Sequence, residues 1–362
     1  MAPYIVGIDP IGDDVELDEG VMEALPAGCR VVNTSKGGES LWVQTLRIEV
    51  ELPDGTEKVF FKKGASGTVG LNMMKGAFES ETALYSFIPE HVPKPVAYGS
   101  YRSQPDMHFY IAEYVEMDEE HPDPEAWATA IAKLHKRSMG KSPGGKFGFH
   151  VDTHLANIPQ NNKWNASWEK FWDQIFRTMC EIEEERRGPD PDLTRLKKLY
   201  HDLVIPRYLR PLESDGRVVH PTLLHNDAWP GNAKPRTDSP EILCLFDSCA
   251  VWGHNEADLK VTRPNTWNLE EAGEMYQNMM GVSEPQDDFT ARVELYATFG
   301  LTLRSAMYWQ EPGRRQLLID HMQRVVDLAV TSGAKKGLPA PTSETKEEPP
   351  SDKPVRPLAK LS

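Results

Sequence analysis

From His225 the chain reads His-Asn-Asp-Ala-Trp-Pro-Gly-Asn, so Asp227 follows a histidine by two positions and precedes Asn232 by five. Twenty residues after Asp227, an apolar run at 242–246 ends in a second aspartate, Asp247. Phosphoryl transfer asks little covalent chemistry of a protein. It needs a carboxylate beside the attacking hydroxyl and oxygen ligands for Mg²⁺. Asp227, Asn232 and Asp247 supply that set in order. The His-x-Asp piece alone reads equally well as a polar turn whose Asp and Asn cap backbone groups. The ordered combination favours the chemistry.

Such chemistry also needs a cation for the phosphates. Lys62 and Lys63 end an apolar strand ahead of a helical stretch. If Phe61 faces the packed side of a sheet, Lys62 faces the opposite side, where a nucleotide would lie. A slip of one residue in register exchanges the two lysines. Glu79 and Glu81 lie on the following helix, and Glu81 is the expected partner of Lys62. Upstream, Gly37, Gly38 and Ser40 lie between two candidate strands. Their backbone N–H groups and the serine hydroxyl suit a phosphate, although a plain hairpin turn explains Gly-Gly as well.

The elements that must position these residues follow from the pattern. Strands are expected at 40–50 and 58–63 around the turn Pro53-Asp54-Gly55, and another at 108–112. Helical spacing covers 73–87, 125–137, 167–185, 192–208, 287–308 and 314–330. A short strand is expected at 242–246. Strands gathered in the first third and helices in the rest predict an α+β fold with two lobes and a cleft between them. The expected boundaries are 1–112, 113–330 and a disordered tail at 331–362, rich in proline and charge. Trp164, Trp168 and Trp172 recur at helical spacing and read as core.

The 362 residues suggest about two domains at roughly 150 residues each. The net charge of −15 argues against nucleic acid and membrane surfaces as partners. Four scattered cysteines without a C-x-x-C pair point to reduced, buried thiols rather than zinc or disulfides. The N-terminus lacks the pattern of a secretory signal, which points to a cytoplasmic location.

Several segments resemble the fructosamine kinase (ketosamine-3-kinase) family, within the aminoglycoside-phosphotransferase-like branch of the protein-kinase-like fold. They are Leu134-His135-Lys136-Arg137-Ser138, Phe147-Gly148-Phe149, Pro159-Gln160-Asn161-Asn162-Lys163-Trp164, His225 to Asn232, and Phe246-Asp247 with Gly253-His254-Asn255-Glu256-Ala257-Asp258-Leu259. The resemblance runs from about residue 28 to 328. It implies ATP and Mg²⁺ as cofactors and a ketosamine acceptor, free or on glycated protein lysines. It implies Asp227 as catalytic base, Asn232 and Asp247 as Mg²⁺ ligands, and Lys62 paired with Glu81 at the phosphates. Glu113, Tyr114 and Val115 would form the hinge that meets adenine. Trp229, His254 and Glu256 would face the acceptor.

The chain departs from the family pattern at Asn226, which replaces a glycine, at Ala228, which replaces a leucine, and at Ser248-Cys249, which replaces Pro-Ala. Two other readings therefore stand beside a ketosamine kinase. One is a kinase for another amino sugar or amino alcohol, and the other is a nucleotide-binding pseudokinase.

Overall fold

The computed structural model describes residues 11–13, 16–38, 40, 42–263 and 269–335. The first part is one antiparallel sheet of six strands with two helices. Its strands are β1 (Gly12–Asp13), β2 (Arg30–Lys36), β3 (Gln44–Glu51), β4 (Glu57–Ser66), β5 (Pro95–Ser100) and β6 (Met107–Glu113). They lie in the order β1-β2-β3-β4-β6-β5. Helix α1 (Glu19–Ala24) covers one face, over Leu46, Ile48, Phe60, Phe109 and Ile111. Helix α2 (Gly67–Phe87) covers the other, setting Met73 and Met74 against Ala65, Tyr110 and Ala112.

Both faces of the sheet are therefore packed, and strand alternation decides which lysine goes where. Lys62 lies opposite Leu46 and Ile111 and shares the α1 face with Phe60. Lys63 lies opposite Thr45 and Tyr110 on the α2 face. Helix α2 begins six residues before the expected start at Met73, because a left-handed Gly67 (φ 73°) turns the chain directly from β4 into the helix.

The remainder is mainly helical. Its helices are α3 (Pro124–Ser138), α4 (Trp168–Arg187), α5 (Pro191–Leu199), α6 (Ile205–Leu209), α7 (Glu270–Met280), α8 (Phe289–Met307) and α9 (Pro312–Lys335). Asp123, Ser167 and Asp190 cap α3, α4 and α5 by accepting bonds from first-turn amides. Trp168 and Trp172 are buried on α4 among Phe299, Tyr296 and Phe171. Trp164 precedes the helix and stays partly exposed, so the expected tryptophan stripe holds for two of its three members. Helix α9 continues past the expected end at Val330, and residues 336–362 of the expected tail lie outside the described residues.

Three small two-stranded antiparallel sheets interrupt the helices and build the working end: β7 (Thr153–Leu155) with β8 (Ile158–Gln160), β9 (Thr222–Leu224) with β12 (Val251–Gly253), and, between those two strands in the chain, β10 (Ala233–Arg236) with β11 (Ser239–Leu245). A 3₁₀ segment, Asn255–Thr262, follows β12 and is buried throughout. The four cysteines are free, and Cys180, Cys244 and Cys249 are buried. Among the described residues no helix is long and apolar enough to cross a membrane.

Candidate active site

Strand β9 delivers the 225–232 loop into a cleft between the sheet and the helices, and Asp247 lies beside it, two residues past the end of β11. The loop is tied down on several sides. Trp127 Nε1 donates to Ala228 O at 2.8 Å, and Cys249 N to His225 O at 3.0 Å. The backbone amides of His225 and Asn226 both donate to the buried Asp258 carboxylate, at 2.8 and 2.7 Å. His135 Nε2 meets the same carboxylate at 3.2 Å. Burial works to raise the Asp258 pKa, but the His135 bond and the charge of Lys260 outweigh it and hold the group at about 2. His225 is fully buried, and burial holds its pKa at about 4, so the ring is neutral. Its Nδ1 accepts from Asp227 N at 3.3 Å, which makes it an orienting group.

The cleft encloses about 500 Å³ and is lined by Asp227, Asn232, Asp247, Lys63, Trp229 and Ser40 among others. Asn232 Nδ2 donates to Asp227 O and Oδ2, each at 3.0 Å. Burial pushes the Asp227 carboxyl up to about 8; Lys260 and Asn232 oppose this, and the nearby Asp247 adds to it. Asp247 is exposed to the cleft in a left-handed conformation (φ 53°). Its Oδ1 receives Lys63 Nζ at 2.5 Å. The three residues expected to carry the chemistry thus meet in one cleft.

The lysine that joins them is Lys63. Lys62, the expected one, is fully buried on the α1 face with Nζ 5.1 Å from the centre of the Tyr101 ring. The expected Lys62–Glu81 pair therefore does not form. Glu81 is buried on α2 behind Ser248, which lines the cleft, and its Oε1 accepts Ser248 N at 3.0 Å and Ser248 Oγ at 3.3 Å. Burial raises its pKa to about 7 against the pull of those bonds and of Lys63.

Of the glycine loop, Ser40 lines the cleft, whereas Gly37 and Gly38 are not in its lining. Thr45 Oγ1 donates to Gly38 O at 2.7 Å, and Ser40 Oγ accepts Trp42 N and Val43 N at 3.2 and 3.3 Å. Gly37 has a steric reason, since a Cβ there would come within 2.8 Å of the Leu46 backbone. Glu39 and Leu41 lie outside the described residues.

Glu113, Tyr114 and Val115 connect β6 to the helical part. The Glu113 and Tyr114 amides donate to Lys94 O and Val59 O, at 2.9 and 3.0 Å. These three residues are not in the lining of the cavity that holds Asp227.

On the acceptor side the expectations divide. Trp229 lines the cleft, its ring lying so close over Gly231 that a Cβ there would clash at 2.1 Å. His254 and Glu256 are instead structural. His254 bonds Tyr296 and Ser283, both at 2.9 Å. Glu256 is fully buried in a two-point pair with Arg292, at 2.8 and 3.1 Å, and also accepts Ser283 N at 2.8 Å. This carboxylate is fully buried and is not in the cleft lining. An Arg292→Met change, which strands that charge, is expected to cost about 3–5 kcal/mol, read as a drop in denaturation midpoint. A substrate ligand would instead show a raised acceptor KM at unchanged stability.

Sequence reasoning missed the grip of Asp258 and the presence of Lys260 in the cleft lining. Asp258 stood within a motif already recognised, whereas Lys260 carried no signal beyond being a lone lysine two residues on.

Comparison with known proteins bears on the site as a whole. The family model for fructosamine kinase matches residues 34–316. A rice (Oryza sativa subsp. indica) protein named protein-ribulosamine 3-kinase, chloroplastic, is 30% identical over 241 residues. That alignment spans 66% of this chain and 65% of the rice protein, just under two thirds of the relative's length. The crystal structure of a candidate fructosamine-3-kinase from Thermobifida fusca matches with a TM-score of 0.64 at 21% identity, covering 83% of this chain and 96% of that one. A thermostable mutant of an aminoglycoside phosphotransferase matches with a TM-score of 0.53 at 11% identity, over 82% of this chain and 95% of that one. The α+β, two-lobed, kinase-like fold read from the sequence is the fold of these neighbours. The chain belongs to the fructosamine kinase family.

Proposed function

We propose that this chain is an ATP-dependent phosphotransferase whose acceptor is a ketosamine hydroxyl, the 3-hydroxyl of a fructosamine or ribulosamine, free or on a glycated protein lysine. The observation that carries the proposal is the meeting of Asp227, Asn232, Asp247 and Lys63 in one cleft. Family membership and the names of the relatives support the acceptor class.

In this reading Asp227 accepts the proton of the attacking hydroxyl. The acceptor oxygen forms a bond to the γ-phosphorus while the bond from that phosphorus to the β,γ-bridging oxygen of ATP breaks, releasing ADP. Lys63 stands where Lys62 was expected, as the cation that meets the phosphates. Asn232 and Asp247 fit Mg²⁺. The asparagine amide nitrogen is engaged with Asp227, so its ligating atom would be Oδ1, and Asp247 presents an exposed carboxylate. Among the described residues no cluster of three or more His, Cys, Asp or Glu could hold a metal. Mg²⁺ is commonly held by one or two side chains together with substrate phosphates. Bound there, Mg²⁺ would neutralise charge on the β- and γ-phosphates. Glu113 to Val115 would meet adenine at the linker, and Trp229 would wall the acceptor. Phosphorylation at that hydroxyl gives an unstable product that sheds its sugar, which makes the reaction a deglycation.

The test is ³¹P NMR of the purified chain with Mg-ATP and separate ribulosamine, fructosamine and plain amino-sugar acceptors. A new phosphomonoester signal with a ketosamine is expected. A signal only with another amine-bearing alcohol would overturn the acceptor, and ATP binding without any transfer would overturn the enzyme.

A further inference from the structure

Asn226 stands at the left-handed turn immediately before Asp227 (φ 66°), where the family pattern has a glycine. Glycine takes that conformation freely, and asparagine tolerates it better than most residues. A side chain at this point is nevertheless buried, 3% exposed, and each of its polar atoms needs a partner. The amide Nδ2 donates to Gln160 Oε1 at 2.8 Å and to Cys249 O at 3.1 Å. The amide Oδ1 accepts from Lys260 Nζ at 2.8 Å.

Lys260 is 5% exposed and lies on the 3₁₀ segment that also carries Asp258. Its Nζ lies 3.8 Å from Asp258 Oδ1, the atom that accepts the Asn226 amide, and 3.5 Å from Ala257 O. An ammonium group only donates. Lys260, which only donates, and the Cys249 carbonyl, which only accepts, therefore decide together which end of the Asn226 amide is oxygen, and Nδ2 is turned toward Gln160. From Gln160 the chain of amides continues to Asn162 at 2.9 Å and on to Thr153 at 2.8 Å. The turn before Asp227 is thus held twice, by Asp258 through the main chain and by Lys260 through the Asn226 side chain. A glycine at 226 would need only the first hold.

We infer that Lys260 and Asn226 are a coupled pair of positioning residues that takes the place of glycine at this turn and holds Asp227 in its working position. The inference rests on the reading of Asp227 as the proton acceptor. It makes Asn226 harmful without Lys260, because its Oδ1 is then buried without a donor, whereas Lys260 keeps Asp258 and Ala257 O when Asn226 is gone.

The test uses the full chain as Lys260→Met, Asn226→Gly and the double variant. Three quantities are read: amide hydrogen exchange over 225–232, thermal unfolding, and kcat and KM for Mg-ATP with a ribulosamine. Lys260→Met is expected to speed exchange across the loop and lower kcat by about 10- to 100-fold, with KM for ATP within about threefold, as a displaced catalytic group would. Asn226→Gly is expected to lower kcat by no more than about tenfold, and the double variant to regain near-parental exchange over 225–232 and to be no slower than Lys260→Met, because the stranded amide oxygen is gone. A double variant as slow as the product of the two single losses would overturn the pairing. So would Lys260→Met with parental exchange and kcat. If Lys260→Met does not fold, a folded double variant with parental exchange still supports the pair, and an equally unfolded one overturns it. If the parent turns over no ketosamine, exchange alone reads the pair, and the failure falls on the proposed activity.

Discussion

Replacing Asp227 by asparagine is expected to lower kcat by about 10²- to 10⁴-fold while ATP affinity stays within a few-fold of the parent. The substitution preserves shape and the contact with Asn232 Nδ2, since an amide oxygen accepts that bond as the carboxylate does. What it removes is the capacity to take a proton. A stability artefact would point the other way. Burial and Asp247 already disfavour the charged form of Asp227, raising its pKa to about 8, so a neutral residue relieves strain in the fold. The thermal midpoint of Asp227→Asn is expected to equal or exceed that of the parent. Steady-state kinetics, calorimetric titration with Mg-ATP and a melting curve on one preparation decide the matter. Parental turnover would remove Asp227 from the chemistry.

The second large effect separates two adjacent lysines. Lys63→Met is expected to lower kcat/KM for ATP by about 10²- to 10³-fold, the usual loss when one well-placed donor to developing charge is removed. Lys62→Met is expected to leave kcat/KM within about threefold. Its ammonium lies on the α1 face beside Tyr101, away from the cleft. Methionine has nearly the same length and suits an apolar wall. The reverse ranking in steady-state assays would mean that β4 sits one residue out of register relative to β3 and β6.

This pair of lysines shows where the sequence was legible and where it stopped. Side-chain parity on β4 was readable, but the face to which each parity belongs was not. Both faces of the sheet are covered, so Phe60 and Phe61 each mark a packed side and neither marks the nucleotide side. The Asp227, Asn232 and Asp247 set was legible because its order and spacing are imposed by one short loop and one strand end. His254 and Glu256 were misplaced for a different reason. A motif shows that residues matter together, but not whether they face a ligand or each other. Here the partner that absorbs Glu256 is Arg292, thirty-six residues away on α8, and nothing local announces it. Short strands such as β7, β9 and β12, three residues each, lie below the length at which alternation can be recognised. The 3₁₀ segment after β12 is buried through tertiary packing, with no periodicity of its own to betray it.

The hydrogen bonds that bind Glu81 to Ser248 have a neighbour one residue back, where Ser80 Oγ accepts Ala250 N at 3.1 Å. Helix α2 is thereby fastened to the backbone that follows Asp247. Swinging the helix outward would break three contacts in a buried setting at once. At about 1 kcal/mol or more for each, the displaced arrangement falls below roughly one molecule in a hundred. The fold therefore leaves little room for an off state made by moving this helix. On the proposed reading, the resting chain already holds Lys63 against Asp247, with α2 docked beside them, and no switch made by moving α2 is expected.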